Sequence, residues 1–138
     1  MIRICLALVL LATGISCLAV GCSSAPKPIA AKTSRTVILE AEAKRTAITA
    51  KVAEALTLQL PPPRAGEDHV WRLVSHDARM LHQSTDIEAP SPEAGPTVTF
   101  VAQRVVSRTL LRFLLVPKTD RRETEPIDSH DVTITIQP

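Results

Sequence analysis

The side chains best suited to holding a metal ion are four histidines, His69, His76, His82 and His130. Two histidines on one helix bind a shared metal when they stand four residues apart, and two on one strand when they stand two apart. No pair in this chain has either spacing. The sequence therefore predicts no metal site.

Ser75, His76 and Asp77 are the residue types of a hydrolytic triad and follow one another in the chain. The serine nucleophile of many hydrolases sits on a sharp glycine-flanked turn, and no such motif surrounds Ser75. The chain also lacks a phosphate-binding loop, a dinucleotide fingerprint and a calcium loop. Adjacent polar residues of this kind are typical of a solvated strand end. We therefore predict that the protein is not an enzyme, has no catalytic residues and needs no cofactor.

The three cysteines, Cys5, Cys17 and Cys22, all lie in the first 22 residues, in or just after an apolar run that Arg3 precedes. A basic start, an apolar run and small residues at its end indicate a signal peptide. The run is also long enough for an uncleaved membrane anchor, which needs about 17–25 apolar residues. Residues 18–22 resemble the bacterial lipobox, whose cysteine is lipidated. We expect a lipoprotein signal peptide over residues 1–21 and lipidation at Cys22.

Residues 22–34 contain mainly Ser, Pro, Ala and Lys and only one large apolar side chain, Ile29. Such a composition favours a flexible tether, and Pro26 and Pro28 argue against the alternative of a first strand. The folded domain is expected over residues 35–138, without a disulfide because no cysteine follows Cys22. The lipid would hold it in the bacterial cell envelope, on the periplasmic or the cell-surface face.

Apolar and polar residues alternate from Arg35 onward, most clearly at 56–60, 98–102 and 132–136. Alternation with period two predicts strands with one buried face. The run 109–116 is apolar on both faces around Arg112, which predicts a central strand. Proline-rich and polar stretches separate these runs, as in a β-sandwich. Residues 40–56 are rich in Ala, Glu and Lys and are compatible with a helix, but their own alternation favours two strands.

Aromatic residues make up 2% of the 138 residues, and the net charge is +2. Single-stranded nucleic acids are bound on aromatic stacking platforms in basic grooves, so these values argue against a nucleic-acid partner. The three aromatic residues, Trp71, Phe100 and Phe113, fall on strand positions that the alternation predicts to face the core.

The order of strands and loops resembles the chagasin family of cysteine-peptidase inhibitors. The resemblance begins with Leu56–Pro61 and Val70–Ser75, and continues through Thr97–Phe100, Leu110–Pro117 and Val132–Ile136. It covers about residues 46–137. It implies an all-β, immunoglobulin-like antiparallel β-sandwich of about seven strands. It also implies that three loops at one end of the sandwich enter the cleft of papain-like peptidases.

The resemblance assigns binding to loops 61–68, 86–96 and 117–128. Their candidate residues are Pro63, Arg64, Ala65, Gly66, Gly95, Val116, Pro117 and Lys118. The family has Thr-Thr where this chain has Arg64-Ala65, and Trp where it has Lys118. Two hypotheses follow from these matches and differences. One is a lipid-anchored inhibitor of papain-like cysteine peptidases, and the other is a non-inhibitory immunoglobulin-like module that binds another envelope protein or has a structural role.

Overall fold

A computed structural model describes residues 26–64, 66–91, 93–118 and 125–138, so the predicted signal peptide, Cys22 and Ala65 lie outside the described residues. Within these ranges the chain forms strands and no helix. The strands are β1 (Thr33–Ile38), β2 (Arg45–Lys51), β3 (Glu54–Gln59), β4 (His69–Ser75), β5 (Leu81–Gln83), β6 (Thr97–Ala102), β7 (Val106–Pro117) and β8 (Asp128–Gln137).

The strands form two four-stranded sheets, which pack as a sandwich. The first sheet has the order β1-β3-β6-β5 and the second has the order β2-β8-β7-β4. This confirms the predicted all-β sandwich, with two differences. The described chain has eight strands rather than about seven, and the pairs β1–β3 and β2–β8 are parallel. The β1–β3 pair is parallel because the chain crosses to the second sheet to form β2 and then crosses back. Strand β3 therefore runs beside β1 in the same direction.

The core lies between the inner faces of the two sheets. Val132, Ile134 and Ile136 of β8 are at most 1% exposed, whereas Thr133 and Thr135 between them are half-buried on the outer face. This alternation is why the sequence pattern of β8 was informative. Phe100 and Phe113 are fully buried and Trp71 is 7% exposed, which confirms the predicted inward positions of all three aromatic residues.

The ambiguous stretch 40–56 contains β2 and the start of β3 and has no helix, as the alternation predicted. Strand β7 lies between β8 and β4, which confirms its predicted central place. Strand β1 begins at Thr33, two residues before the expected domain start. Strand β5 was not predicted, because its three residues are too few to show a period.

The strand directions determine at which of the two ends of the sandwich each connection lies. The described parts of the connections 39–44, 60–68, 84–96 and 118–127 lie at one end, here called the loop end. The turns 52–53, 76–80 and 103–105 lie at the other end. The segment 26–32 also lies there, since the backbone N–H of Lys32 donates to the carbonyl of Ala53 over 2.8 Å. This end is called the tether end.

Candidate functional site

The connections after β3 and after β5 are in direct backbone contact at the loop end. The N–H of Leu60 donates to the carbonyl of Pro96 over 2.8 Å. Gly95 lies against the same residue, because a Cβ placed on it would stand 1.8 Å from the carbonyl oxygen of Leu60. Only glycine allows the two connections to approach this closely.

The first loop, 60–68, is supported from the core and is tightly turned. Trp71 Nε1 donates to the carbonyl of Pro61 over 2.9 Å, which fixes the start of the Pro61–Pro63 run. The N–H of Glu67 donates to the carbonyl of Arg64 over 3.1 Å. Gly66 within this turn has a φ of 84°, a conformation that glycine adopts without steric cost. The loop is therefore held at its base and bent at its tip.

The start of the third connection, 118–127, is hydrogen-bonded to the end of the first loop. The N–H of Lys118 donates to the carbonyl of Asp68 over 2.8 Å, and Lys118 Nζ lies 3.8 Å from Asp68 Oδ1. Val116 and Pro117, expected in this loop, are instead the last residues of β7, opposite Val70 and His69 of β4.

An apolar hollow of about 160 Å³ opens between the first loop, the second connection and β4. Its lining consists of Pro63, His69, Val70, Trp71, Ile87, Ala89 and Pro96. The imidazole of His69 is 16% exposed, and its Nδ1 lies 3.1 Å from Glu67 Oε2. The hollow has room for one side chain of a partner, with an imidazole at its edge.

A fourth connection, 39–44, also reaches the loop end and was not part of the predicted site. Lys44 Nζ lies 2.6 Å from Asp128 Oδ1, and the Lys44 carbonyl accepts from the N–H of Asp131 over 3.0 Å. Burial raises the pKa of Asp128, but the hydrogen bonds from Lys44 and from the Ser129 N–H together hold it below its usual value. Lys44 and Asp128 border a groove of about 480 Å³ that also contacts Arg64 and Ile127. The parallel pairing of β1 with β3 places this connection here, and no local sequence signal predicts that pairing.

The structure brings most of the predicted residues together, with different exposure. Arg64, Gly66 and Lys118 are exposed at the loop end, and Pro63, Val116 and Pro117 are half-buried. Gly95 is buried beneath the tips, so it shapes the second connection and is not itself a contact surface. Ala65 and Cys22 lie outside the described residues.

The loop end is acidic over the described parts of its four connections and the first residue of β8. Its carboxylates are Glu40, Glu42, Glu67, Asp68, Asp86, Glu88, Glu93, Glu125 and Asp128. Its cations are Lys44, Arg64 and Lys118, and Arg45 lies beside Lys44 as the first residue of β2. A surface with this excess of carboxylates favours a basic partner and repels an acidic one.

The described residues contain no group of three His, Cys, Asp or Glu side chains placed to hold a metal ion. Across the same ranges, no helix has the length and apolarity to cross a membrane. What the described part of the loop end offers is a set of connections joined at their bases, a small apolar hollow and an acidic rim. These are the elements of a protein-binding surface.

No protein-family model matches this chain, and no curated protein sequence matches it. Among solved structures, the chain is similar to the cysteine protease inhibitor EhICP2 from Entamoeba histolytica, with a TM-score of 0.59 and 13% identity over 77% of this chain and 98% of that one. The solution structure of amebosin aligns with a TM-score of 0.45 and 13% identity over 76% of this chain and 97% of that one. The chain therefore has the fold of EhICP2, a β-sandwich.

Proposed function

We propose that the protein inhibits papain-like cysteine peptidases through its loop end. The observation that carries this proposal is the joining of three connections by two backbone hydrogen bonds, from Leu60 to Pro96 and from Lys118 to Asp68, both 2.8 Å long. These bonds hold the described bases of the three connections side by side, which supports a wedge. A wedge is the shape required to fill the groove of a peptidase.

Rigidity is what separates an inhibitor from a substrate at such a cleft. A flexible loop loses conformational entropy on binding and adapts to the geometry of attack by the thiolate. The Pro61–Pro63 run, held by Trp71, loses little entropy and resists that adaptation. The loop end would therefore occupy the cleft without being cut.

The fold similarity supports the same proposal from outside the chain. EhICP2 is described as a cysteine protease inhibitor, and its fold covers 77% of this chain. At 13% identity, the inhibitory role does not transfer with the fold. The proposal therefore depends on the geometry of the loop end together with this likeness.

The negative charge of the loop end indicates which peptidases it would bind. Carboxylates on the tips, among them the exposed Glu67 and Asp68, are repelled by an acidic cleft rim and attracted by a basic one. We expect the target to be a peptidase with a basic rim. Its association with this protein should slow as the salt concentration rises, because salt screens the attraction.

Glu67 and Asp68 also favour the second candidate, a non-inhibitory binding or structural module of the cell envelope. The tip cation Lys118, which stands where the inhibitor family has Trp, lies 3.8 Å from Asp68. The tip thus carries an exposed ion pair in place of an aromatic anchor, and aromatic residues often dominate binding energy. A partner of this module would be another envelope protein.

The membrane attachment through Cys22 is proposed on the sequence pattern alone. It predicts that a radioactive fatty acid labels the natural chain in cells and does not label Cys22→Ala. A label that persists in Cys22→Ala would rule out this attachment site.

Inhibition is tested with residues 26–138, which contain the described core, against a panel of papain-like peptidases that includes enzymes of basic and acidic surface charge. We expect inhibition at micromolar concentration or below for at least one basic enzyme. The double variant Glu67→Gln, Asp68→Asn should weaken that inhibition by about tenfold, because it removes two exposed carboxylates that the basic rim attracts.

The matched control is Ser107→Lys, Gln137→Lys, which makes the same change in net charge on exposed residues near the tether end. It should leave inhibition unchanged. No inhibition across the panel would reject the inhibitor and favour the envelope module. Equal weakening by both variants would show that overall charge, and not the loop end, controls the effect.

A further inference from the structure

The tether end of the sandwich is basic, in contrast to the loop end. The cations at this end or on the adjacent strand residues are Lys27, Lys32, Lys51, Arg79, Arg104 and Arg108. The two nearby carboxylates are already paired, since Asp77 lies 3.2 Å from Arg79 and Glu54 lies 3.0 Å from Arg35. Most of the positive charge at the tether end is therefore available to an anionic partner.

The same end exposes large aliphatic side chains. Ile29 is 43% exposed and Val105 is 57% exposed. Ile29 borders a hollow of about 450 Å³, which Arg79 and Arg104 also line. Exposed aliphatic side chains among cations are the combination that peripheral proteins present to the boundary between lipid headgroups and acyl chains.

The N-terminal segment is fixed to this end. The side chain of Gln103, which is 8% exposed, accepts from the N–H of Ile29 over 2.5 Å and donates to its carbonyl over 3.2 Å. Cys22 precedes Ile29 by seven residues, which span at most about 25 Å when extended. A lipid on Cys22, or an apolar anchor before it, would thus keep the tether end within reach of the bilayer.

We propose that the tether end docks on a bilayer surface that contains anionic phospholipid headgroups. The cations contact the headgroup phosphates, and Ile29 and Val105 enter the headgroup layer. Strand β7 runs the length of the sandwich, and its 12 residues span about 40 Å. Docking at this end therefore holds the acidic loop end about that far from the membrane, facing outward.

This inference goes beyond the proposed inhibition and does not depend on it. The experiment uses residues 26–138, because the buried hydrophobic residues of the described ranges all lie between Leu39 and Ile136, so this part retains the described core without the predicted anchor. We expect this part to sediment with vesicles made of equal parts phosphatidylcholine and phosphatidylglycerol and not with pure phosphatidylcholine vesicles. High salt should release it, because salt screens the headgroup charge.

Two double charge-reversal variants test which end of the molecule binds the vesicles. Arg104→Glu, Arg108→Glu should reduce binding to the anionic vesicles by about tenfold or more, since each cation near such a surface contributes a several-fold effect. Arg64→Glu, Lys118→Glu makes the same change in net charge at the loop end and should leave vesicle binding unchanged. Val105→Ser should weaken binding further at a given salt concentration, whereas Ile127→Ser at the loop end should not.

When the full chain is bound to vesicles, trypsin should cut at Arg64 equally fast with and without phosphatidylglycerol. Cleavage at Arg79 and Arg104 should become slower when phosphatidylglycerol is present. Equal loss of vesicle binding in the two double variants would overturn the proposal. It would show that the net charge of the protein, and not the cations of the tether end, controls binding. No preference for anionic vesicles would also overturn it and would leave an acidic protein or polysaccharide as the occupant of the tether end. Neither result bears on inhibition, which depends on the loop end.

Discussion

Gly95 shows how one missing side chain sets the shape of the loop end. The space where its Cβ would stand is filled by the carbonyl oxygen of Leu60, 1.8 Å away. Backbone cannot rotate aside as a flexible side chain does, so any larger residue must push the second connection away from the first loop.

We expect Gly95→Ala to destabilise the protein by about 1–3 kcal/mol, the range typical of overpacking. Because the Leu60 to Pro96 hydrogen bond must lengthen, the Leu60 amide should exchange with solvent faster, which NMR hydrogen exchange measures. Inhibition should weaken in parallel.

The control is Gly66→Ala, where a Cβ meets no atom within 4 Å but φ is +84°. It should cost about 1–2 kcal/mol through backbone strain alone and leave the Leu60 amide protected. Unchanged Leu60 exchange in Gly95→Ala would show that this contact does not join the loops.

At the scale of the element, β2 and β8 are joined by side chains as well as by their parallel ladder. His130 of β8 is 2% exposed, and its Nε2 lies 2.9 Å from Thr46 Oγ1 of β2. Burial lowers the pKa of His130, although the charges of Asp128 and Asp131 oppose the shift. The folded state therefore binds the His130 proton less readily than the unfolded chain does.

This difference predicts that stability depends on pH. In the unfolded chain His130 has its ordinary pKa of about 6.5. Above this pH its side chain is neutral in both the folded and the unfolded state, so the contact with Thr46 contributes fully to the free energy of unfolding. As the pH falls below that value, the unfolded state gains a proton first, so the free energy of unfolding decreases. Urea denaturation between about pH 5 and pH 7 should show this loss.

His130→Gln keeps a hydrogen-bonding group near Thr46 and removes the titration, so its stability should change less over this pH range. Gln83→Ala, a change at a half-buried residue of β5 that does not titrate, should retain the slope of the natural chain. A slope that persists in His130→Gln would assign the pH dependence to other groups.

At the scale of the whole molecule, the two ends of the sandwich differ in charge and in what they hold. The loop end is acidic and joins four connections, whereas the tether end is basic and holds the N-terminal segment through Gln103. Gln103 Nε2 also donates to the carbonyl of Val101 over 3.1 Å, and the Gln103 N–H donates to Met80. One buried residue thus links the segment to β6 through its side chain and to the turn before β5 through its backbone.

We predict that Gln103→Ala releases residues 26–31 while the Lys32–Ala53 hydrogen bond and the sandwich remain. The Ile29 amide should exchange slowly in the natural chain and rapidly in the variant, because its acceptor is lost. The free energy of unfolding should decrease by about 1–3 kcal/mol, since the Val101 carbonyl loses a buried donor.

Gln83→Ala removes an exposed hydrogen bond to Thr85 and serves as the control. It should leave Ile29 exchange unchanged. Rapid exchange of Ile29 already in the natural chain would mean that the segment is a free tether, as its composition suggested.

The sequence predicted what depends on local patterns. Alternation along β8 and β3, and the inward aromatic positions, are properties of a few neighbouring residues, because successive side chains on a strand face opposite sides. The all-β sandwich, the central place of β7 and the strands within 40–56 could therefore be predicted. Pro63, Gly66 and Lys118 could be assigned to loops for the same reason.

The tertiary structure decided which distant segments meet. The parallel pairing of β1 with β3 brings the connection 39–44 to the loop end, and the contact of Gly95 with Leu60 joins residues 35 positions apart. The Ile29–Gln103 hydrogen bonds span 74 positions and fix a segment whose composition suggested a free tether. Local periodicity carries no information about such pairs. Only closure of the two sheets around their shared core brings them together, because burying both inner faces fixes the position of every strand at once.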